Sequence, residues 1–472
     1  MDTMPLNANT RMTDSNCLLH FRDETQELII KHYLRKPLNA KMIKYRVLEL
    51  FKKQIPIEYR SPGARRRFEA ECLQLWRRRG FRVPAVMEVP ARYSAREPVL
   101  ALEFIPGERL DHFLAAESRS PEDKIAGLRM VFEEMSTRHC SAIFEEEHRL
   151  IHFDANIRNL ILNGSEVVHL DFEMGRLGEE IDRSAAREVL KLSLQAAARL
   201  GPAQLESIAG LLVNAYGIMH VLQRIIKEVL QPRFRNLHLY RDRKRKEKHA
   251  GLLTKVDIAR AIGRQIEERA AGRRSAAADP LLRQALETSW NGKYYQSLDD
   301  SDPRGRDMHH RYQVMQFPQD FGNASVLDIG CNIGRICLDA KRRGARRAVG
   351  LDFRPDVIAA MSECYRSMGI DVELHAFDIN EGVEALRARI GDEPFDYIYA
   401  LSIWSHVDQS KLWAIINYFG AKTLILEDNS PSRIKSLERI RGILETHLDY
   451  RSIEFMGFTK DRGIRAVFRL IK

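Results

Sequence analysis

The sequence predicts a mixed fold: an α+β amino-terminal domain of two lobes, a basic helical linker, and an α/β carboxy-terminal domain. Three observations carry that expectation. First, Ala324 to Gly334 reads Ala-Ser-Val-Leu-Asp-Ile-Gly-Cys-Asn-Ile-Gly, a short apolar run broken by two glycines before helical spacing resumes at Ile336-Cys337-Leu338. Second, three acids at strand ends, Asp328, Asp352 and Asp378, follow at spacings of 24 and 26 residues (352 minus 328, 378 minus 352). Third, a strand-rich stretch near the amino terminus leads into His152-x-Asp154 and Asn159, then a turn, then Asp171-Phe172-Glu173.

At 472 residues the chain exceeds one ordinary core, and the expectation is two or three domains. A hydrophobic content of 44% and a charged content of 30% fit a globular protein. No run approaches the roughly 18 apolar residues of a membrane span, and residues 1 to 16 lack the basic start and apolar core of a signal peptide. A cytoplasmic location is expected, with peripheral contact at an anionic inner membrane left open. The six cysteines form no C-x-x-C pair, so they read as reduced thiols without zinc. The net charge of +10 points to acidic partners, whether phosphoglycan, glycolipid or nucleic acid, without choosing among them.

In chain order, Cys17 to Phe21 and Glu27 to Leu34 read as two strands, the second carrying Lys31 at the end of a Leu-Ile-Ile run. A helix follows around Arg65 to Trp76, stopped by Gly80, and Val99 to Ile105 reads as a strand running into the turn at Pro106-Gly107. Leu150 to Leu162 then places His, Asp and Asn in the pattern H-x-D-x-x-x-x-N, Asn163-Gly164 turns the chain, and Val167 to Leu170 leads to Asp171. The spacing has a chemical use. One aspartate can accept a hydroxyl proton while an Asn five residues on and an Asp on the neighbouring strand hold magnesium against nucleotide phosphates.

This constellation resembles the atypical small-molecule and lipopolysaccharide kinases, which share the protein-kinase fold and commonly carry D-F-E. The resemblance covers about residues 15 to 200 and implies that Asp154 is the catalytic base, with Asn159 and Asp171 as Mg2+ ligands. It further implies that Lys31 pairs with Glu69 and grips the ATP phosphates, that Glu103 to Ile105 forms the hinge under adenine, and that Asp182 braces the lower lobe. One departure stands out: no glycine precedes Gly63, so the glycine-rich loop that should cover the phosphates is missing. Either the upper lobe is abbreviated or the fold no longer transfers phosphate.

Residues 185 to 230 have helical periodicity and would complete the lower lobe, giving a kinase-like domain over 1–230 with lobes 15–105 and 106–230. From Arg233 to Lys248 the chain turns basic, with Phe234, His238 and Tyr240 interleaved. Such a run is usually a solvated face. Its functional reading is a landing strip for an anionic acceptor or membrane surface. The linker is set at 231–285 and the last domain at 286–472.

The strand, glycine turn, helix and acid series resembles the class I S-adenosylmethionine-dependent methyltransferases, Rossmann-like domains with a seven-stranded sheet. The resemblance implies that Asp328, Gly330, Asn332 and Gly334 form the loop around the methionine end of S-adenosyl-L-methionine, Asp352 holds the ribose, and Asp378 lies beside adenine. Asn332 stands where many members have a glycine, a mild departure because Asn tolerates left-handed backbone. In the lead-in, Arg311 could meet the cofactor carboxylate or be an ordinary surface arginine. Beyond the fourth strand His406 is a candidate base, with a core histidine the equal alternative. The N/D-P-P-Y/F motif of adenine amino-methylation is absent, which favours an oxygen acceptor.

The combination resembles bifunctional kinase-methyltransferases that terminate bacterial O-antigen chains, with the domain order reversed. It implies ATP-dependent phosphorylation of a glycan hydroxyl and methyl transfer to an oxygen of the glycan or its phosphate. Two other readings stay open: an RNA-modifying methyltransferase, and a methyltransferase with a pseudokinase binding module.

Overall fold

The computed structural model describes residues 10–12, 16–22, 26–35, 57–93, 98–175, 179–231, 242, 244, 246–247, 252–271, 295–298, 305–430, 436–461 and 463–472. The chain divides into two compact units, Met1–Gln265 and Ile266–Lys472. The division falls inside the helix Lys255–Ala271, whose early residues Val256, Ile258, Ala259, Ala261 and Ile262 are buried. Arg264 and Gln265 of that helix bond to Glu206, so residues 255–265, read as linker, pack with the first unit.

In the first unit the strands β1 (Thr10–Met12), β2 (Asn16–Arg22), β3 (Glu27–Tyr33), β4 (Val86–Met87) and β5 (Val99–Glu103) form an antiparallel sheet in the order β1-β2-β3-β5-β4. The helix Pro62–Arg78 packs beside β3 and β5. Proline at its first turn is already helical in φ, and Ser61 accepts from the Ala64 amide at 3.3 Å. Its buried face is Phe68, Cys72, Leu73, Leu75 and Trp76. Strands β6 (Glu108–Arg109), β7 (Leu160–Asn163) and β8 (Glu166–His169) make a second, small sheet.

The rest of the unit is helical: Leu110–Ala115, Pro121–Glu145, Ile181–Leu200, Leu205–Leu211 running into Leu212–Tyr216, and Met219–Leu230. Trp76 ties sheet to helices, since its Nε1 donates to the Arg149 carbonyl at 2.7 Å and its ring meets Phe172 edge-on at 4.6 Å. Within the helical part Glu188 is a fully buried acid. It accepts from Arg138 at 2.5 Å, from His139 at 2.9 Å and from the His152 amide at 2.8 Å. The bracing role expected of Asp182 falls to Glu188 instead; Asp182 faces His220 at 3.6 Å.

In the second unit β9 (Ser325–Ile329), β10 (Arg347–Asp352), β11 (Glu373–Ala376), β12 (Tyr397–Leu401) and β13 (Thr423–Glu427) run parallel. The hairpin β14 (Ser452–Thr459) and β15 (Arg465–Ile471) adds antiparallel, for the order β11-β10-β9-β12-β13-β15-β14. This is the seven-stranded sheet expected from sequence. Parallel strands need a cover on both faces, which is why β9, β10 and β12 are nearly continuous runs of buried residues. Chain order reverses between β9 and β12, and such a switch leaves a crevice at the carboxyl ends of the strands.

Removing Glu188 would leave Arg138 and His139 buried without their partner. Glu188→Ala is therefore expected to destabilise the first unit by about 3–5 kcal/mol, read as a lowered urea midpoint for the transition that carries the Trp76 fluorescence.

Candidate functional sites

The crevice of the second unit opens as a cavity of about 550 Å³ lined among others by Tyr295, Asn332, Asp352, Phe353, Asp378 and Arg465. After β9 the chain turns through Gly330 at φ 79°, Asn332 at φ 55° and Gly334 at φ 74°. The positive φ favours glycine at 330, and a Cβ there would also displace the tip of Ile403, whose Cδ1 would lie 2.7 Å away. The Asp352 carboxylate at the end of β10 is held by two backbone amides, Asn332 on Oδ2 at 2.9 Å and Arg354 on Oδ1 at 3.1 Å. A carboxylate has about four lone-pair positions, so this fixed group still has acceptor capacity toward the cavity. Burial raises its pKa, and the two amides oppose that shift. Phe353 is 57% exposed beside it, an apolar face at the cavity wall that the sequence reading passed over because one aromatic after a strand carries no pattern.

The other wall is polar. Ser402, held at φ 59°, donates to Glu427, and Arg465 donates to Ser402 Oγ at 2.5 Å. His406 is exposed and lines the cavity, which excludes the core-histidine alternative. Partial burial, then Arg465, lowers its pKa, leaving the ring neutral at pH 7 and able to take a proton. Behind this wall Glu427 is fully buried. It accepts from Arg306 at 3.2 Å, from Arg311 at 2.9 Å and from Thr459 at 2.7 Å. Burial opposes its charge, but the Arg311, Arg306 and Arg465 guanidiniums hold the carboxyl far below the usual range. Arg311 thus departs from both sequence alternatives: it is 1% exposed and engaged with Glu427 instead of lying at the surface or lining the cavity.

Residues 326–420 match the family model described as a methyltransferase domain. The second unit carries a methyltransferase domain. Over 62 residues the chain is 37% identical to the uncharacterized protein MJ0284 of Methanocaldococcus jannaschii, covering 13% of this chain and 28% of that protein. Among solved structures, the PH0226 protein of Pyrococcus horikoshii OT3 is similar at 14% identity and TM-score 0.28, over 36% of this chain and 93% of the other. The bifunctional kinase-methyltransferase WbdD is similar at 18% identity and TM-score 0.30, over 38% of this chain and 43% of that one. That likeness covers only its methyltransferase part.

Within the methyltransferase domain, Asn332, Gly330, Asp352, Asp378 and His406 meet at the cavity, while Asp328 and Gly334 lie behind it. Gly334 is favoured by its φ of 74°, and a Cβ there would also push on the Leu374 side-chain tip at 2.8 Å. Asp378 is exposed and caps the turn Ile379–Glu381, accepting from the Asn380 amide at 2.9 Å. Asp328 sits in β9 at 2% exposure. Burial pushes its pKa up to about 7, with Arg311 opposing and Asp352 adding.

The first unit brings together the residues of its sequence pattern. Lys31 on β3 is buried, with Nζ 2.8 Å from Glu69 Oε2 and 2.6 Å from Asp171 Oδ1. Burial opposes the ammonium charge, yet Asp171 and Glu69 outweigh it and keep the lysine protonated. Tyr33 also donates to Glu69 at 2.6 Å. Asp171 is held at φ 65°, a conformation that costs a non-glycine residue and clusters at functional sites. Asp154 Oδ1 lies 2.7 Å from Lys191 Nζ, and its Oδ2 accepts from Asn159 Nδ2 at 3.2 Å. With its amide nitrogen spent on Asp154, Asn159 has its side-chain oxygen to turn toward a cation, and its backbone carbonyl accepts from the Leu170 amide at 2.8 Å, next to Asp171. Hard oxygen ligands of this kind fit magnesium.

His152 is packed inside, its Nε2 donating to the Leu170 carbonyl at 2.8 Å, and burial followed by His169 lowers its pKa to about 4. Ile105 is buried beyond β5. The Glu103 side chain pairs with Arg82 at 2.6 Å and accepts from the Ala85 amide at 2.9 Å, while the Glu103 amide donates to the Ala85 carbonyl at 2.9 Å. Most of the basic strip from Arg233 to Lys248 lies outside the described residues; within it, Lys246 pairs with Asp257 at 2.5 Å.

The Asp328 shift has a definite sign in stability. Its folded pKa of about 7 lies above its ordinary 3.8, so between these values the native state holds a proton that the unfolded chain has released. The contribution is complete below about pH 4 and lost as pH rises through 7. Asp328→Asn should remove this fall, roughly 4 kcal/mol across the window, and gain stability relative to wild type above pH 7. Denaturant midpoints from pH 4 to 8 measure it.

Proposed function

We propose that the chain is a two-site transferase, an S-adenosylmethionine-dependent O-methyltransferase preceded by a magnesium-dependent phosphotransferase of kinase-like fold. The observation that carries the first part is Asp352, fixed by two amides on the floor of the cavity with the exposed ring of Phe353 beside it. A preset carboxylate suits the two vicinal hydroxyls of a ribose, and an open aromatic face suits an adenine. S-adenosylmethionine supplies an electrophilic methyl on sulfonium. The chain's own residues align it with the acceptor, which is where much of the rate of such a transfer arises, and His406 takes the proton of a hydroxyl acceptor.

The second part rests on Lys31 between Glu69 and Asp171, with Asp154 and Asn159 in contact. In this reading Lys31 and Asp171 hold the triphosphate end of ATP with Mg2+, and Asp154 accepts the acceptor's proton. The net charge of +10 supports an anionic acceptor, for which a phosphorylated glycan or glycolipid is the class we favour. The lack of any glycine before Gly63 supports a pseudokinase as the second reading.

Calorimetry on the intact chain separates these readings. Wild type should bind S-adenosylmethionine, and Asp352→Ala should weaken that binding by about 1.5–3 kcal/mol. An absence of cofactor binding by wild type ends the assignment. Asp171→Ala should abolish magnesium-dependent ATP binding, whereas Asp154→Asn should preserve it and remove turnover. A wild type that never binds ATP in magnesium establishes the pseudokinase instead.

A further inference from the structure

The phosphates of a nucleotide at the first site need cationic partners, and the sequence has no glycine before Gly63 from which to build a glycine-rich roof. The connection between β1 and β2, ahead of the strand that carries Lys31, is Thr13-Asp14-Ser15, which has no glycine to bring amides onto a phosphate and carries an acid that repels one. The stretch between Asp154 and Asn159 does not supply a cation either. Ala155 and Ile157 are buried and Asn156 accepts from the Arg158 amide at 3.1 Å. The Arg158 side chain is 59% exposed and lies 3.8 Å from Asp111. Lys31, between Glu69 and Asp171, is the cation that the reading above gives to the triphosphate, and it lies on the Asp171 side of the site. The cation nearest the proposed base is Lys191, with Nζ 2.7 Å from Asp154 Oδ1 and a side chain 39% exposed.

Lys191 is also well held. It sits on Ile181–Leu200, one turn beyond Glu188, and Glu188 is fastened to the His152 amide two residues before Asp154. The same buried acid therefore sets the position of the lysine and of the base. An ammonium has three N–H donors, and one contact to Asp154 leaves two for phosphoryl oxygens.

We infer that Lys191 is a catalytic residue of phosphoryl transfer, a cation placed below the reaction to neutralise the phosphoryl oxygens that a glycine loop does not cover. The inference rests on the phosphotransferase reading above. In the transfer, the acceptor hydroxyl gives its proton to Asp154 while its oxygen bonds to the terminal phosphorus of the nucleoside triphosphate. The bond from that phosphorus to the bridging oxygen breaks, and the electron pair leaves with the nucleoside diphosphate. Charge spreads over the equatorial oxygens in the transition state, and there a fixed ammonium is worth most.

The test needs no knowledge of the acceptor. Calorimetry on the intact chain would compare Mg·ADP alone with Mg·ADP plus aluminium fluoride, which stands in for the phosphoryl group in flight. Wild type should bind the fluoride complex more tightly than Mg·ADP. Lys191→Ala and Lys191→Met should lose about 100-fold of the fluoride-complex affinity, keep Mg·ADP affinity within about twofold, and melt at the wild-type temperature. Lys191→Arg should recover part of the loss. Equal tightening in wild type and both neutral variants, or none in wild type, overturns the inference while leaving nucleotide binding intact. A loss of Mg·ADP affinity as large as the loss for the fluoride complex also overturns it, because the lysine then acts on the ground state or the fold. A wild type that binds no Mg·ADP refutes the phosphotransferase reading itself.

Discussion

Glu427, at the end of β13, is the charge on which the second unit depends. Desolvating a carboxylate costs several kcal/mol, and the surrounding chain offsets it from four directions: Arg306 and Arg311 from the segment before β9, Ser402 from the end of β12, Thr459 from β14, and Arg465 from β15. One buried acid thus fastens the lead-in, the switch point of the sheet and the terminal hairpin together. It also borders the site, because Ser402 and Arg465, which line the cavity, both engage it.

The first unit uses buried charge in the same way at two places. Glu69 and Asp171 share Lys31, so β3, the helix Pro62–Arg78 and the segment after β8 meet at one ammonium. Glu188 gathers Arg138, His139 and the His152 amide, and so fixes the segment that carries Asp154. In both cases the pairing stabilises less than it specifies. An apolar substitute could fill the volume, but it could not hold Lys31 or the segment around Asp154 in one fixed geometry.

The strands of the sheet and the turn after the first of them were legible because parallel strands bury both faces and read as apolar runs, and because glycine is needed where φ is positive, as at Gly330 and Gly334. Asp352 and Asp378 were legible as acids that end such runs, and Asp154, Asn159 and Asp171 as a spacing with a chemical use. Glu188 was not: it lies in a helix among other polar residues, and its role comes from what the fold places against it. Asp182, the second residue of the same helix, was the acid expected to brace the lobe, yet it faces His220 and Arg224.

The sequence by itself therefore determined the main strands of the second unit, the glycine turn and the acids at the strand ends, since these follow from local periodicity, backbone conformation and spacing along the chain. Tertiary structure alone decided the partners of the long cations. Arg311 went to Glu427, 116 residues away, and Lys191 to Asp154, 37 residues away. Only burial and geometry decide which carboxylate a flexible guanidinium or ammonium finds. Hydrophobic patterning is silent on that choice, because a charged side chain carries the same polar label wherever it ends.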